Sequence, residues 1–207
     1  MICIVDYKAG NLTSVKLAFD ALNVDAFISS KPEDVAGAER IVFPGVGAAG
    51  AAMDELNRCE LSDALKAAVS NGIPFLGICV GTQILFDYSE EDGGTDCLGL
   101  VPGQVRRFQA TNHYDKIPQM GWNTVSCVKE HPVFAGVEKD TEFYFVHSYY
   151  PAPSNQQHCI AQTTYADETF ASVLGYDNLL ATQFHCEKSG RPGLQLLKNF
   201  SEWDGTC

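Results

Sequence analysis

The run Gly77-Ile78-Cys79-Val80-Gly81 sets a cysteine between two glycines, each two positions away. An apolar run from Pro74 to Ile78 leads into it, and a helical pattern from Gly81 to Tyr88 follows. Strand, tight turn and helix with a nucleophile at the apex is the layout of a nucleophile elbow. The turn leaves no room for bulky neighbours, hence the glycines. It lifts the side chain above the carboxyl end of a sheet, where α/β proteins place their ligands. The start of a helix also favours thiolate over thiol. A buried structural cysteine is the plainer reading of the same five residues, because free cysteine is among the most buried residue types.

A cysteine nucleophile needs a base, and the base needs an orienting group. The histidines are His113, His131, His147, His158 and His185. His185 follows the apolar run Leu179 to Phe184, at the end of an expected strand, and Glu187 comes two residues later. On an extended backbone, side chains at i and i+2 leave on one face. Glu187 can then hold one imidazole nitrogen while the other faces the cysteine. Taken alone, His-x-Glu is better read as a surface pair; the elbow reverses that. Acyl transfer further needs donors for an oxyanion. Pro44-Gly45-Val46-Gly47 follows an apolar strand at the same end of the sheet. Backbone N–H groups from Val46 and Gly47, with that of Val80, would complete the hole, and glycine at 47 permits the peptide orientation.

The elements that must position these groups alternate in the first half. Strands are expected at Ile2 to Val5, Asp25 to Ile28, Arg40 to Phe43 and Pro74 to Ile78. Helices are expected at Asn11 to Leu22, 47–57, 61–70 and Gly81 to Tyr88. That rhythm implies a parallel sheet with helices on both faces. Residues 89–97 read as an acidic, glycine-rich loop. Short β-rich runs follow at Val105 to Phe108, Thr124 to Val128, Glu142 to Val146, His158 to Tyr165, Ala171 to Tyr176 and Leu179 to Gln183. Pro192 to Phe200 closes as a helix. The fold class is therefore α/β: an open, mostly parallel sheet with helices on both faces and antiparallel additions in the C-terminal half. One domain over 1–207 is expected.

The chain has 207 residues and a formal charge of −12, which disfavours nucleic-acid binding. There is no basic and apolar leader and no long uncharged apolar run, so a cytoplasmic protein is expected. Eight cysteines at irregular spacing, with no CxxC pair, suit reduced thiols rather than a disulfide or zinc framework. Neither metal nor cofactor is expected, and the Gly205-Thr206-Cys207 end reads as mobile.

Gly77-Ile78-Cys79-Val80-Gly81-Thr82-Gln83 together with His185-Cys186-Glu187 resembles the triad-type, class I glutamine amidotransferases. Further stretches resemble the branch that serves imidazole glycerol phosphate synthesis. They are Asp6-Tyr7 with Gly10-Asn11 and Ser14-Val15, Pro44 to Ala48, Pro118 with Met120-Gly121-Trp122-Asn123, Tyr144 to Tyr150, and Gln183 to Ser189. The resemblance runs from residue 2 to about 200. It implies a glutaminase in which Cys79 attacks the glutamine side-chain amide, His185 moves the proton and Glu187 supports His185. It further implies that Gly45, Gln83, Ser148 and Tyr149 bind substrate. Ammonia then passes to a separate cyclase subunit, a (β/α)₈ barrel, in a heterodimer. Glutaminases of anthranilate or pyridoxal phosphate synthases, a non-catalytic subunit of the same fold and a cysteine peptidase share parts of this pattern. Three positions depart from it. Cys186 replaces the usual Pro and adds a thiol open to oxidation, while Lys8 replaces Gly and Gln119 replaces His, both expected near the partner surface.

Overall fold

The computed structural model describes residues 1–8 and 12–206. Ala9, Gly10, Asn11 and Cys207 lie outside them, so the Gly10-Asn11 part of the motif, the first residue of the expected Asn11 helix and the expected mobile end at Cys207 do too.

The first half alternates as β1 (Ile2–Val5), α1 (Leu12–Ala21), β2 (Ala26–Ser29), α2 (Pro32–Ala36), β3 (Arg40–Gly45), α3 (Ala49–Arg58), α4 (Leu61–Ser70), β4 (Phe75–Cys79) and α5 (Val80–Gln83). The second half supplies β5 (Phe86–Ser89), β6 (Thr95–Asp96), β7 (Val101–Arg107), β8 (Gln119–Cys127), β9 (Thr141–His147), β10 (Tyr149–Pro153), β11 (Cys159–Tyr165), β12 (Glu168–Tyr176), β13 (Leu179–Thr182) and α6 (Gly190–Glu202). Nine strands form one sheet in the order β2-β1-β3-β4-β13-β12-β11-β8-β9, and β10-β7-β5-β6 form a second. Pairing is parallel from β2 through to β13 and antiparallel from β13 to β9.

β1, β4 and β13 are buried at every residue. Both faces of these strands are covered, which is why they read as unbroken apolar runs. The path from β1 to β2 steps one way and the path to β3 steps back. Right-handed crossovers therefore put α1 and α2 on opposite faces; α1 meets α6, and α2 meets α4.

The expected Gly81–Tyr88 helix is corrected to the single turn Val80–Gln83. The carbonyls of Ile84, Leu85 and Phe86 are taken by the N–H groups of Leu98 to Val101, so the helix cannot continue and Phe86 to Ser89 pairs with β7 instead. β10 escapes notice in the sequence because Pro151 and Pro153 fall in it; it is an edge strand, where proline is tolerated. Among the described residues no helix is long and apolar enough to cross a membrane, no cluster is placed to hold a metal, and Cys3, Cys59, Cys79, Cys97, Cys127, Cys159 and Cys186 are free.

Candidate active site

β3 and β4 run side by side to their carboxyl ends, with Gly45 opposite Cys79. The chain then turns sharply. Cys79 sits at φ 56°, ψ −110°, outside the regions a side-chain-bearing residue normally occupies. The flanking glycines permit it. A Cβ on Gly81 would lie 2.0 Å from the Phe43 carbonyl oxygen, and one on Gly77 would lie 2.9 Å from the Gly81 oxygen. Gly45 answers the same crowding, since a Cβ there would meet the Gly81 nitrogen at 2.6 Å. The Thr82 hydroxyl donates to the Thr182 carbonyl at 2.6 Å and ties the elbow to β13.

His185 stands just past β13, its N–H donating to the Tyr144 carbonyl at 2.9 Å. The 3-10 turn Cys186–Lys188 brings Glu187 back onto the ring, with His185 Nδ1 2.8 Å from Glu187 Oε1 and both side chains 2% exposed. His185 Nε2 and Glu187 Oε2 are buried and make no formed hydrogen bond. Burial disfavours charge on the ring, but Cys79 and Glu187 outweigh it and raise the His185 pKa to about 10. Ser189 fastens the turn: its hydroxyl donates to the His185 carbonyl at 2.6 Å and accepts from the Tyr144 N–H at 3.0 Å.

A cavity of about 250 Å³ opens at this point. Cys79, His185, Val46, Gly47, Val80, Gln83, Ser148 and Tyr149 all line it. Glu187 lies behind His185, as an orienting group would. Gly45 does not line the cavity; it packs under the elbow. Gly47 adopts φ 97°, a conformation that suits glycine.

Glu91, absent from the sequence expectations, is the one carboxylate among the residues lining the cavity. Its Oε2 accepts from the Ala49 N–H at 2.7 Å, at the start of α3, and burial holds its pKa above the usual carboxylate range. Its acidic run, Glu90-Glu91-Asp92, carried no hint of which member turns inward.

Gln119 points inward, at 3% exposed, while Met120 beside it on β8 is exposed. His147, whose pKa burial lowers to about 4, donates from Nδ1 to the Tyr149 carbonyl at 2.7 Å. Its Nε2 lies 3.0 Å from the Gln119 side-chain amide, and a neutral ring is satisfied only with the amide N–H₂ on that side. Lys8 is exposed, at φ 63°. Cys186 is corrected from an oxidation liability to an inert thiol: it is fully buried, and burial pushes its pKa far up.

The class-I glutamine amidotransferase family model matches residues 6–203. The chain is 49% identical over 205 residues to the imidazole glycerol phosphate synthase subunit HisH of Nitratidesulfovibrio vulgaris strain Miyazaki F, covering 97% of this chain and 95% of that one. It is 46% identical to the protein of the same name from Chromobacterium violaceum, covering 99% and 98%. Among solved structures, a glutamine amidotransferase aligns over the whole of both chains with a TM-score of 0.76 at 18% identity. PurLQS from Thermotoga maritima aligns over 96% of each chain with a TM-score of 0.71 at 16% identity. These two share the fold.

Proposed function

The chain belongs to the class-I glutamine amidotransferase family, and we propose from that premise that a Cys79–His185–Glu187 triad releases ammonia from glutamine for imidazole glycerol phosphate synthesis. The observation that carries the reading is the placement of Cys79 and His185 on one cavity wall with Glu187 hydrogen-bonded behind the imidazole. The chain is a glutamine amidotransferase that works as the glutaminase subunit of a synthase in histidine biosynthesis, beside a cyclase subunit. Its 207 residues are read as one amidotransferase domain in the cytoplasm.

Each step follows from a group in place. The Cys79 sulfur attacks the side-chain carbonyl of glutamine while His185 holds the thiol proton. The tetrahedral oxyanion is met by N–H groups of the Val46–Gly47 loop and of Val80. His185 passes its proton to the departing ammonia, leaving a glutamyl thioester. Water, deprotonated by His185, then releases glutamate and restores the thiol. Glu187 keeps the ring oriented and supports its charged form. The α-ammonium end of glutamine needs acceptors, and Glu91 and the Gln83 oxygen are the cavity groups that suit it.

The partner surface is read from exposed apolar residues beside the cavity. Met120 and Trp122 project from β8 at 66% and 54% exposure, two and four residues after Pro118, which lines the cavity. Apolar groups grouped this way on a surface mark a contact site.

Cys79→Ala tests the assignment in the assembled synthase. Glutamine-dependent turnover is expected to fall by about 10³-fold or more, while synthesis from added ammonia continues. Substantial glutamine hydrolysis by the variant would refute Cys79 as the nucleophile.

A further inference from the structure

One buried side chain at the reacting sulfur has no part in the triad. Gln183 is fully buried, directly after β13 and two residues before His185, and its N–H donates to the Ser172 carbonyl at 2.9 Å. Its side-chain orientation is settled by a chain of bonds that begins at a backbone carbonyl. Gln83 Nε2 donates to the Tyr149 carbonyl at 3.0 Å. A carbonyl only accepts, so the nitrogen of Gln83 must lie there. The same nitrogen donates to Gln183 Oε1 at 3.0 Å. The oxygen of Gln183 is thereby turned toward Gln83 and its N–H₂ toward Cys79, with Nε2 3.7 Å from the sulfur.

We propose that Gln183 is a positioning residue for the nucleophile, its amide N–H donating to the Cys79 sulfur and its oxygen tying that bond to Gln83 at the substrate end of the cavity. The proposal rests on Cys79 being the nucleophile. An N–H donor binds a thiolate more strongly than a thiol, so it favours the reactive form and fixes the direction of its lone pairs. The chain also decides what Gln83 offers. Both of its N–H groups are engaged, so its oxygen is left to accept from substrate.

The test is the pH profile of Cys79 alkylation by iodoacetamide, read by mass spectrometry of the Cys79 peptide in the assembled synthase. Gln183→Glu keeps the shape and an acceptor for Gln83 but sets negative charge against the sulfur. The alkylation midpoint is expected to rise by about one pH unit or more, with kcat down more than about tenfold and KM for glutamine within about threefold. Gln183→Met removes the donor without adding charge and is expected to raise the midpoint by less. A purely structural Gln183 would lower the melting temperature and leave the Gln183→Met midpoint at the wild-type value, and that result overturns the proposal. If neither variant folds, the wild-type protein decides. The ¹⁵N side-chain amide signals of Gln183 must move on alkylation of Cys79, and unmoved signals overturn the proposal equally. Glutamine hydrolysis by Cys79→Ala would instead sink the nucleophile assignment, a separate outcome.

Discussion

The two halves of the proposed catalytic pair, Cys79 and His185, are held by different means. The elbow at Cys79 is held by backbone: glycines at 45, 77 and 81 let β3, β4 and α5 touch, and Cys79 itself carries a strained φ of 56°. The turn at His185 is held largely by side chains. His185 has an ordinary extended backbone, and Glu187 and Ser189 fix its ring and its carbonyl. The His185 half does use a close backbone approach of its own, for a Cβ on Gly193 would lie 2.0 Å from the Cys186 oxygen. The contrast is one of degree: close backbone packing and a positive φ do most of the work of presenting Cys79, whereas the ring of His185 depends on side-chain partners.

The contrast is tested most severely at Gly81. Gly81→Ala drives a Cβ into backbone rather than into a flexible side chain, and is expected to cost about 3 kcal/mol or more and to abolish activity. Ser189→Ala removes two hydrogen bonds from the turn and is expected to cost about 2 kcal/mol, with kcat down about tenfold and Cys79 alkylation unchanged. Denaturant unfolding alongside alkylation measures both. Equal losses at the two sites would erase the distinction.

Strain at the elbow makes a prediction of opposite sign. Cys79→Gly is expected to be inactive yet about 1 kcal/mol more stable than wild type, because glycine adopts positive φ freely. A less stable variant would mean that the elbow stores no strain.

The smallest effect belongs to Cys186→Pro. His185 before it is extended, and among the described residues the Cys186 N–H meets no backbone acceptor. Proline at the start of such a turn loses no backbone bond and gives up only the weak contact of the thiol with the Thr182 hydroxyl at 3.4 Å. Steady-state kcat is expected to stay within about threefold of wild type, with stability unchanged or up by about 0.5 kcal/mol. A hundredfold loss would show that the thiol shapes the turn.

Much of the site was legible in the chain because its requirements are local. The elbow must have glycine at fixed offsets from the cysteine, and the His185–Glu187 pair closes within one 3-10 turn rather than along the extended chain expected, so both are written over a few residues. The central strands were legible too, since full burial demands unbroken apolar runs. What could not be read depends on which distant backbone arrives. The Gly81–Tyr88 pattern is helical by spacing, yet it stops at Gln83 because residues 98–101 take the carbonyls of 84–86. Gln119 reads only as near a partner surface, and its side chain is turned inward to meet His147 on β9. Glu91 and Gln183 gain their meaning only where the start of α3 and the ends of β9, β10 and β13 come together around the cavity. The sequence by itself determined the elbow cysteine, the His-x-Glu pair proposed as its base and orienting group, and the strands that carry them, because those rest on steric rules acting within a few residues. The tertiary structure decided which carboxylate faces the cavity and which amide touches the sulfur, because burial and hydrogen-bond direction are set by neighbours far away in the chain.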